Sequence, residues 1–140
     1  MKTVEGYRTV AEVPVRFRDT DAMGHVNNAV YLSYLEQARV VYFHEVYGAE
    51  KPDDFGVVVA RVEIDYRSPV FMGETVLVGI RATKIGGASF EAEYRLLDKA
   101  SGRLVAEAKT VQVGYDYKAG RVQKLTPEFT RVMKEHDGLA

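Results

Sequence analysis

Apolar residues change period along this chain, and each change marks an element. Val13, Val15 and Phe17 alternate with Pro14, Arg16 and Arg18, the period-2 signature of a half-buried strand. Pro14 places that strand at an edge or at its own start, because proline cannot donate to an inner ladder. From about Asn28 to Tyr47, Tyr31, Leu35, Ala38, Tyr42 and Val46 recur at helical spacing. Val30, Leu32, Tyr34, Val41 and Phe43 broaden the stripe, so the pattern predicts a helix buried on most sides and wrapped by a sheet. Gly48 fits the stop. Ser33, Glu36, Gln37, Arg39 and His44 interrupt the apolar set, and Glu36 and Arg39 form an (i, i+3) pair that can reach back to Asp19.

A loop over Ala49 to Gly56, with Lys51-Pro52-Asp53-Asp54 inside it, precedes four strand-like runs. Val58, Ala60, Val62, Ile64 and Tyr66 form the first, closed by Pro69. The second is Val76, Val78, Ile80 and Ala82, after the turn Met72-Gly73-Glu74. Beyond Ile85-Gly86-Gly87-Ala88 come Phe90, Ala92, Tyr94 and Leu96, and beyond Asp98-Lys99-Ala100-Ser101-Gly102 come Val105, Val111, Val113 and Tyr115. The short connections predict three successive hairpins and an antiparallel meander. Thr126-Pro127-Glu128 then opens a short helix through about Glu135, by an N-cap hydroxyl, a first-turn proline and an acid. Phe129, Val132 and Met133 should face inward, and Gly138 should end it. One strand, a long helix and four antiparallel strands make an α+β chain, read as a single domain over 1–140: a five-stranded antiparallel sheet wrapped around one long central helix, with a short C-terminal helix.

Composition narrows the partners. The 140 residues are 46% hydrophobic and 28% charged, enough for a sizeable core. A net charge of -1 gives no global electrostatic case for nucleic acid. Cysteine is absent, which removes disulfides, thiolate nucleophiles and Cys-based zinc sites and is compatible with a cytoplasmic setting. The start Met1-Lys2-Thr3-Val4-Glu5-Gly6 lacks an apolar signal segment, and no run reaches the ~20 apolar residues of a membrane span. The expectation is a cytoplasmic protein with no membrane partner.

Candidate chemistry concentrates between the first strand and the helix. Asp19, Asp21, His25, Asn27 and Asn28 crowd a loop whose neighbours are rich in Val, Tyr and Leu, and polar loops on an apolar scaffold often carry function. Gly24 lets the chain turn sharply between acid and imidazole. Asn27 or Asn28 reads as the helix N-cap, and the positive end of the helix dipole favours a negative charge just before it. Asp21 taken alone is a turn or cap aspartate. His25, His44 and His136 lack metal-ligand spacing, so no metal is expected; nor does a serine nucleophile elbow or a phosphate-cradling glycine loop occur.

The run Asp19-Thr20-Asp21-Ala22-Met23-Gly24-His25-Val26-Asn27-Asn28-Ala29-Val30-Tyr31, followed by Tyr34-Leu35-Glu36-Gln37-Ala38-Arg39 and later by Val62-Glu63-Ile64-Asp65-Tyr66 and Gly73-Glu74, resembles the hotdog-fold acyl-CoA thioesterases of the 4-hydroxybenzoyl-CoA thioesterase family. The resemblance covers most of the chain, and the motifs are specific in combination. It implies hydrolysis of an acyl-CoA thioester to free acid and CoA, with Asp21 as nucleophile or general base and no cofactor beyond the CoA of the substrate. It also implies an oxyanion donor from the segment Gly56 to Val59 and an active site between subunits; the unpaired edge strand of a five-stranded sheet predicts a homodimer, assembled further into a homotetramer. A carboxylate held near the carbonyl and backbone donors near the developing oxyanion suit that chemistry.

The remaining site expectations follow from the same frame. His25 orients Asp21, polarises the carbonyl or assists proton transfer, against the alternative of a structural histidine. Asn27 holds the attacking water or the carbonyl, and Asn28 is the cap. Asp19 fixes the loop through backbone amides or Arg39. Tyr31, Tyr34, Leu35, Val58 and Tyr66 form apolar walls for the acyl group, and Val59 joins Gly56 and Val58 in the binding segment. Arg67, Lys84, Arg121 and Lys124 are candidates for the CoA phosphates, with solvated surface charge as the ordinary reading. Two other functions stay open at this point: an enoyl-thioester hydratase or dehydratase of the same fold, and a non-catalytic acyl-thioester binding protein. The Asp21 to His25 spacing disfavours the former, since relatives of that kind carry the His further along the loop.

Overall fold

The period changes become elements in a computed structural model, which describes residues 3–51 and 54–140; Pro52 and Asp53 of the expected loop lie outside the described residues. β1 spans Thr9–Pro14, α1 Tyr31–Tyr47, β2 Val57–Tyr66, β3 Thr75–Ile85, β4 Ser89–Asp98, β5 Leu104–Asp116, β6 Arg121–Val122 and α2 Pro127–Asp137. The strands form one antiparallel sheet in the order β1-β3-β4-β5-β2, with β6 paired to the end of β5. β1 is an edge strand and Pro14 its last residue, where its missing N–H costs no inner bond. The strand starts earlier than the Val13-Val15-Phe17 alternation implies, and Phe17 has turned out into solvent within a short 3-10 turn, Phe17–Asp19.

The meander is only partly realised. β3, β4 and β5 are joined by hairpins, but β2 pairs with β5 and not with β3 (Val58↔Val113, Tyr66↔Ala106). The chain from Tyr66 to Thr75 therefore crosses to the other side of the sheet, and β2 becomes the second edge. A short connection limits distance, not pairing, and Ser68, Pro69 and Val70 run across the end of β5: Ser68 N–H and Oγ–H donate to the Val105 and Leu104 carbonyls.

The sheet curls around α1. Tyr31, Tyr34, Leu35, Ala38, Tyr42 and Phe43 bury the inner face of the helix against Val13, Val76, Val78, Ile80, Phe90, Tyr94 and Leu96 of the sheet. Gly48 ends the helix with a left-handed φ of 71° and its N–H on the His44 carbonyl. α2 closes one end of the core with Phe129 and Met133. Thr126 Oγ1 accepts the Phe129 amide, and Gly138 caps the far end. The helix is not buried all round, however: Leu32 (45% exposed) and Val40 (46%) leave an apolar flank uncovered, beside the exposed Val58, Val62 and Tyr66 of β2.

Candidate active site

The loop that follows β1 is held by backbone hydrogen bonds before any side chain contributes. Thr20 and Val26 form a bridge, Asp21 N–H donates to the His25 carbonyl at 2.9 Å, and Gly24 N–H donates to the Asp21 carbonyl at 3.0 Å. Gly24 has φ 87°, a value that L side chains rarely adopt, so a glycine is needed for this turn. Val26 N–H on the Val70 carbonyl and a His25–Phe71 bridge dock the loop on the crossover after β2.

Asp19 is the buried anchor, 2% exposed. Its carboxylate accepts the Arg16 amide (2.9 Å), the Arg16 guanidinium (3.0 Å) and the Tyr34 hydroxyl (2.9 Å). The partner is Arg16, not Arg39, because the 3-10 turn folds the loop back on its own start. Burial by itself raises the Asp19 pKa, but the Arg16 amide, the Arg16 side chain and Tyr34 outweigh it and hold the carboxyl below its ordinary value. Burial and the bond to Asp19 push the Tyr34 hydroxyl well up. A lowered carboxyl pKa contributes stability that is complete above the unfolded value, about 3.9, and is lost as pH falls through the folded one. Thermal melts should therefore show stability falling in acid below about pH 4, with a shallower fall in Asp19→Asn. Tyr34→Phe should cost about 1–2 kcal/mol at neutral pH; an unchanged melting temperature would remove Tyr34 from the anchor.

Asp21 is half-buried. One oxygen, Oδ1, accepts the Met23 amide at 2.8 Å, which is the turn role of an aspartate. The other, Oδ2, faces His25 Nδ1 at 3.9 Å and has no hydrogen-bond donor among the described residues. The turn thus fixes the carboxylate while leaving one oxygen able to act. His25 Nδ1 lies 3.4 Å from the Val26 carbonyl, and its ring meets Phe71 edge-on at 6.3 Å. Asn27, rather than Asn28, is the cap: its Oδ1 accepts the Ala29 amide at 2.9 Å and starts the 3-10 turn that leads into α1. Its oxygen thus holds the turn, and its amide nitrogen makes no hydrogen bond among the described residues.

A hollow of about 210 Å³ beside this loop is lined by His25, Asn28, Tyr31, Tyr66, Arg67 and neighbouring residues. Tyr66 hydroxyl donates to the Asn28 carbonyl at 2.9 Å, and its ring packs edge-on against Tyr31 at 5.0 Å. The other expected binding segment lies elsewhere. Gly56, with φ 60°, leads into β2, and Val57, Val58 and Val59 line a pocket of about 620 Å³ with Phe43, Phe55 and Gln112. The Gly56 carbonyl accepts the Tyr115 amide, whereas the Val57 carbonyl accepts the Tyr117 hydroxyl at 2.6 Å. Alternation along a strand then turns the amides of Val57 and Val59 away from β5, toward the open edge.

Within one chain these two regions cannot meet. Tyr66 touches the Asp21 side of the molecule and Val57 begins the strand, at opposite ends of a 10-residue β2. At about 3.3 Å per residue they stand about 30 Å apart. Tyr34 is also removed from the expected acyl walls, since it is fully buried and bound to Asp19. Leu35 is fully buried as well, against the sheet.

The expected CoA cations separate in the same way. Arg67 is exposed at the Tyr66 end and paired with Glu107 at 3.3 Å. Lys84, Arg121 and Lys124 are exposed on β3, on β6 and on the segment after it; the Leu125 amide joins that segment to the β3–β4 turn at Gly87. Gln112 was missed by periodicity. Val111, Val113 and Tyr115 drew attention to one face of β5, while Ala106, Ala108, Thr110 and Gln112 are the buried parity; a polar pair continuing an alanine alternation was the available signal.

A curled antiparallel sheet around one long helix is the hotdog fold, and the relatives of this chain make it a thioester hydrolase. The chain belongs to the Thioesterase-like superfamily, whose model matches residues 15–133. It is similar to a thioesterase from Thermus thermophilus solved in complex with coenzyme A and Zn, at 36% identity and a TM-score of 0.86 over 98% of this chain and 99% of that one. It is also 26% identical to the long-chain acyl-CoA thioesterase FadM of Escherichia coli, over 89% of this chain and 96% of that protein. A 1,4-dihydroxy-2-naphthoyl-CoA hydrolase of Crocosphaera subtropica is 24% identical over 87% and 93%. Among the described residues no group of three or more His, Asp or Glu is placed to hold a metal ion, and no helix is long and apolar enough to cross a membrane.

Proposed function

We propose that this protein hydrolyses acyl-CoA thioesters at sites shared between two copies of the chain, with Asp21 acting as nucleophile or as general base on water. The separation of Asp21 from the Val57–Val59 amides along β2 carries this reading. Pairing the middle of β2 with the middle of β2 of a second copy about a two-fold axis is antiparallel, so the Tyr66 end of one strand lies beside the Val57 end of the other, and a ladder confined to the middle leaves the strand-entry amides to a ligand. The loop of Asp21 and His25 then faces edge amides supplied by the partner. An open edge strand flanked by the uncovered Leu32, Val40, Val58 and Val62 supports a second copy as its cover.

In such a site the thioester carbonyl oxygen accepts from the strand-entry amides while Asp21 Oδ2 acts. As a base, Asp21 takes a proton from water, and the hydroxide adds to the carbonyl carbon. As a nucleophile, it forms an anhydride that water then opens. On either route the C–S bond breaks, CoA leaves as thiolate and is protonated, and the free acid remains. Backbone donors already aimed at the oxyanion lower the barrier without reorganisation. His25 stands near enough to orient Asp21 or pass a proton after a small movement. A panel of short, long and aromatic acyl-CoAs, followed by thiol release, tests the reaction; no turnover of any would overturn it.

The anionic ADP end of CoA requires cations at the groove mouth. Two-fold pairing brings Arg67 of one copy toward the strand entry of the other, and Lys84, Arg121 and Lys124 line that end of the sheet. Replacing the four with glutamine should raise KM for an acyl-CoA several-fold at low salt and change kcat little, with the difference shrinking as salt is added. An unchanged KM at low salt would place the nucleotide elsewhere.

A further inference from the structure

The pocket of about 620 Å³ opens at Val57–Val59, where the proposed function puts the thioester carbonyl, and Arg39 of α1 stands in its wall. The rest of that wall is mainly apolar, with Val40, Phe43 and Phe55 beside the β2 valines. Arg39 is half-buried and also borders a hollow of about 240 Å³ between α1 and Val62. Its Nη1 donates to the Tyr94 hydroxyl at 3.5 Å, a long contact, and no carboxylate lies within ion-pair distance of its guanidinium among the described residues. Glu36, one turn earlier, lines the same pocket but is exposed and does not pair with it, and Asp19 is engaged by Arg16 and Tyr34. Nε and Nη2 of Arg39 have no partner among the described residues, and neither is sealed from solvent as the unpaired Nε of Arg81 is. A guanidinium keeps its charge at any ordinary pH, so these are permanent, accessible donors bordering apolar surface.

In water those donors are hydrated. A plain hydrocarbon in the pocket displaces that water and leaves a cation unpaired, which costs free energy. We infer that the pocket selects acyl groups ending in a second carboxylate, the mono-CoA thioesters of dicarboxylic acids, and that Arg39 binds the free end. The planar fork of Nε and Nη2 matches the two oxygens of a carboxylate. The Tyr94 hydroxyl holds the third nitrogen, and the apolar wall packs the methylenes between the two ends of the acyl group. Glu36 is exposed, so water and salt weaken its repulsion of the ligand.

This inference rests on the acyl-thioester reading, and matched substrates separate the two. kcat/KM is measured for hexanoyl-, octanoyl- and decanoyl-CoA and for adipoyl-, suberoyl- and sebacoyl-CoA, the same chain lengths with a terminal carboxylate, so that the phosphates of CoA act equally within each pair. At the length that reaches Arg39, the dicarboxylic substrate should be preferred by about tenfold or more. Arg39→Met should invert that ratio, because an apolar wall rejects a carboxylate, whereas Arg39→Lys, which keeps the charge without the fork, should retain part of the preference. Hydrolysis of the plain acyl-CoAs with no preference for a carboxylate at any length would overturn the inference and leave the thioesterase reading standing; that is the result expected if Glu36 of a second copy holds Arg39 instead. A preference retained in Arg39→Met would also overturn it, by assigning the recognition to another residue. Failure to hydrolyse any of the six would sink both. If Arg39→Met does not fold, the wild-type series and Arg39→Lys decide.

Discussion

Asp21→Asn is expected to lower kcat by about 100-fold or more, with an unchanged melting temperature and little change in KM. The asparagine keeps the acceptor that Asp21 Oδ1 offers to the Met23 amide, so the turn survives. What disappears is the negative charge on the oxygen that has no donor among the described residues. Alanine at the same place should lose as much activity and also loosen the turn, so a melting-temperature difference between the two variants separates the turn role from the chemical one. His25→Ala should cost about tenfold, since its nearest carboxylate contact is 3.9 Å. A loss equal to that of Asp21→Asn would give His25 a direct part in proton transfer. Near-normal turnover of folded Asp21→Asn would remove the carboxylate from the reaction.

Val62→Asp, in the middle of β2, is expected to abolish both assembly and activity. Val62 is exposed on a single chain and pairs with Thr110 on one side only. Its other side is the open edge. A carboxylate there stays hydrated in an isolated chain and does little to the fold, but buried against a second copy it is a charge without a partner, which costs several kcal/mol. Light scattering should report a monomer with a wild-type melting profile, and turnover should drop by about 100-fold or more because each Asp21 then lacks the amides of the other chain. A monomer that hydrolyses at the wild-type rate would show that one chain holds a complete site.

Much of the fold was legible because local rules and burial agree at the decisive residues. The Tyr31-Leu35-Ala38-Tyr42 spacing, Gly48, Thr126-Pro127 and Gly138 all do in space what their positions imply. The strand order was not legible. Val58 to Tyr66 alternates as any strand does, and nothing in that pattern says whether β2 pairs with the next strand or, as it does, with β5. Phe17 misled for a related reason: its parity matches Val13 and Val15, but a 3-10 turn begins there and breaks the alternation. The apolar breadth of α1 was read as burial inside one chain, whereas Leu32 and Val40 remain uncovered.

At the site, the Asp21 turn and the role of Gly24 could be read from residue type and spacing. The partners of Asp19 could not. Arg16 and Tyr34 reach it only once the turn has folded back, which made Arg39 an equally good candidate on paper. Asn27 and Asn28 are both competent caps, and the choice falls to the 3-10 turn that precedes the helix. Gln112 stayed hidden because parity on β5 is visible only when the curvature of the sheet shows which face is inside.

The shared site is tested most directly by mixing two inactive chains. One carries Asp21→Asn. The other carries Gly56→Val, which forces a β-branched residue into a positive φ of 60° and distorts the strand entry. Each is assayed alone, then after joint unfolding and refolding in equal amounts. If Asp21 and the Gly56 segment meet across two chains, half of the random dimers are mixed and each mixed dimer holds one intact site, so about a quarter of wild-type activity should return. Activity no greater than that of the separate parents, in a preparation shown to contain mixed dimers, would contradict a site divided between two copies.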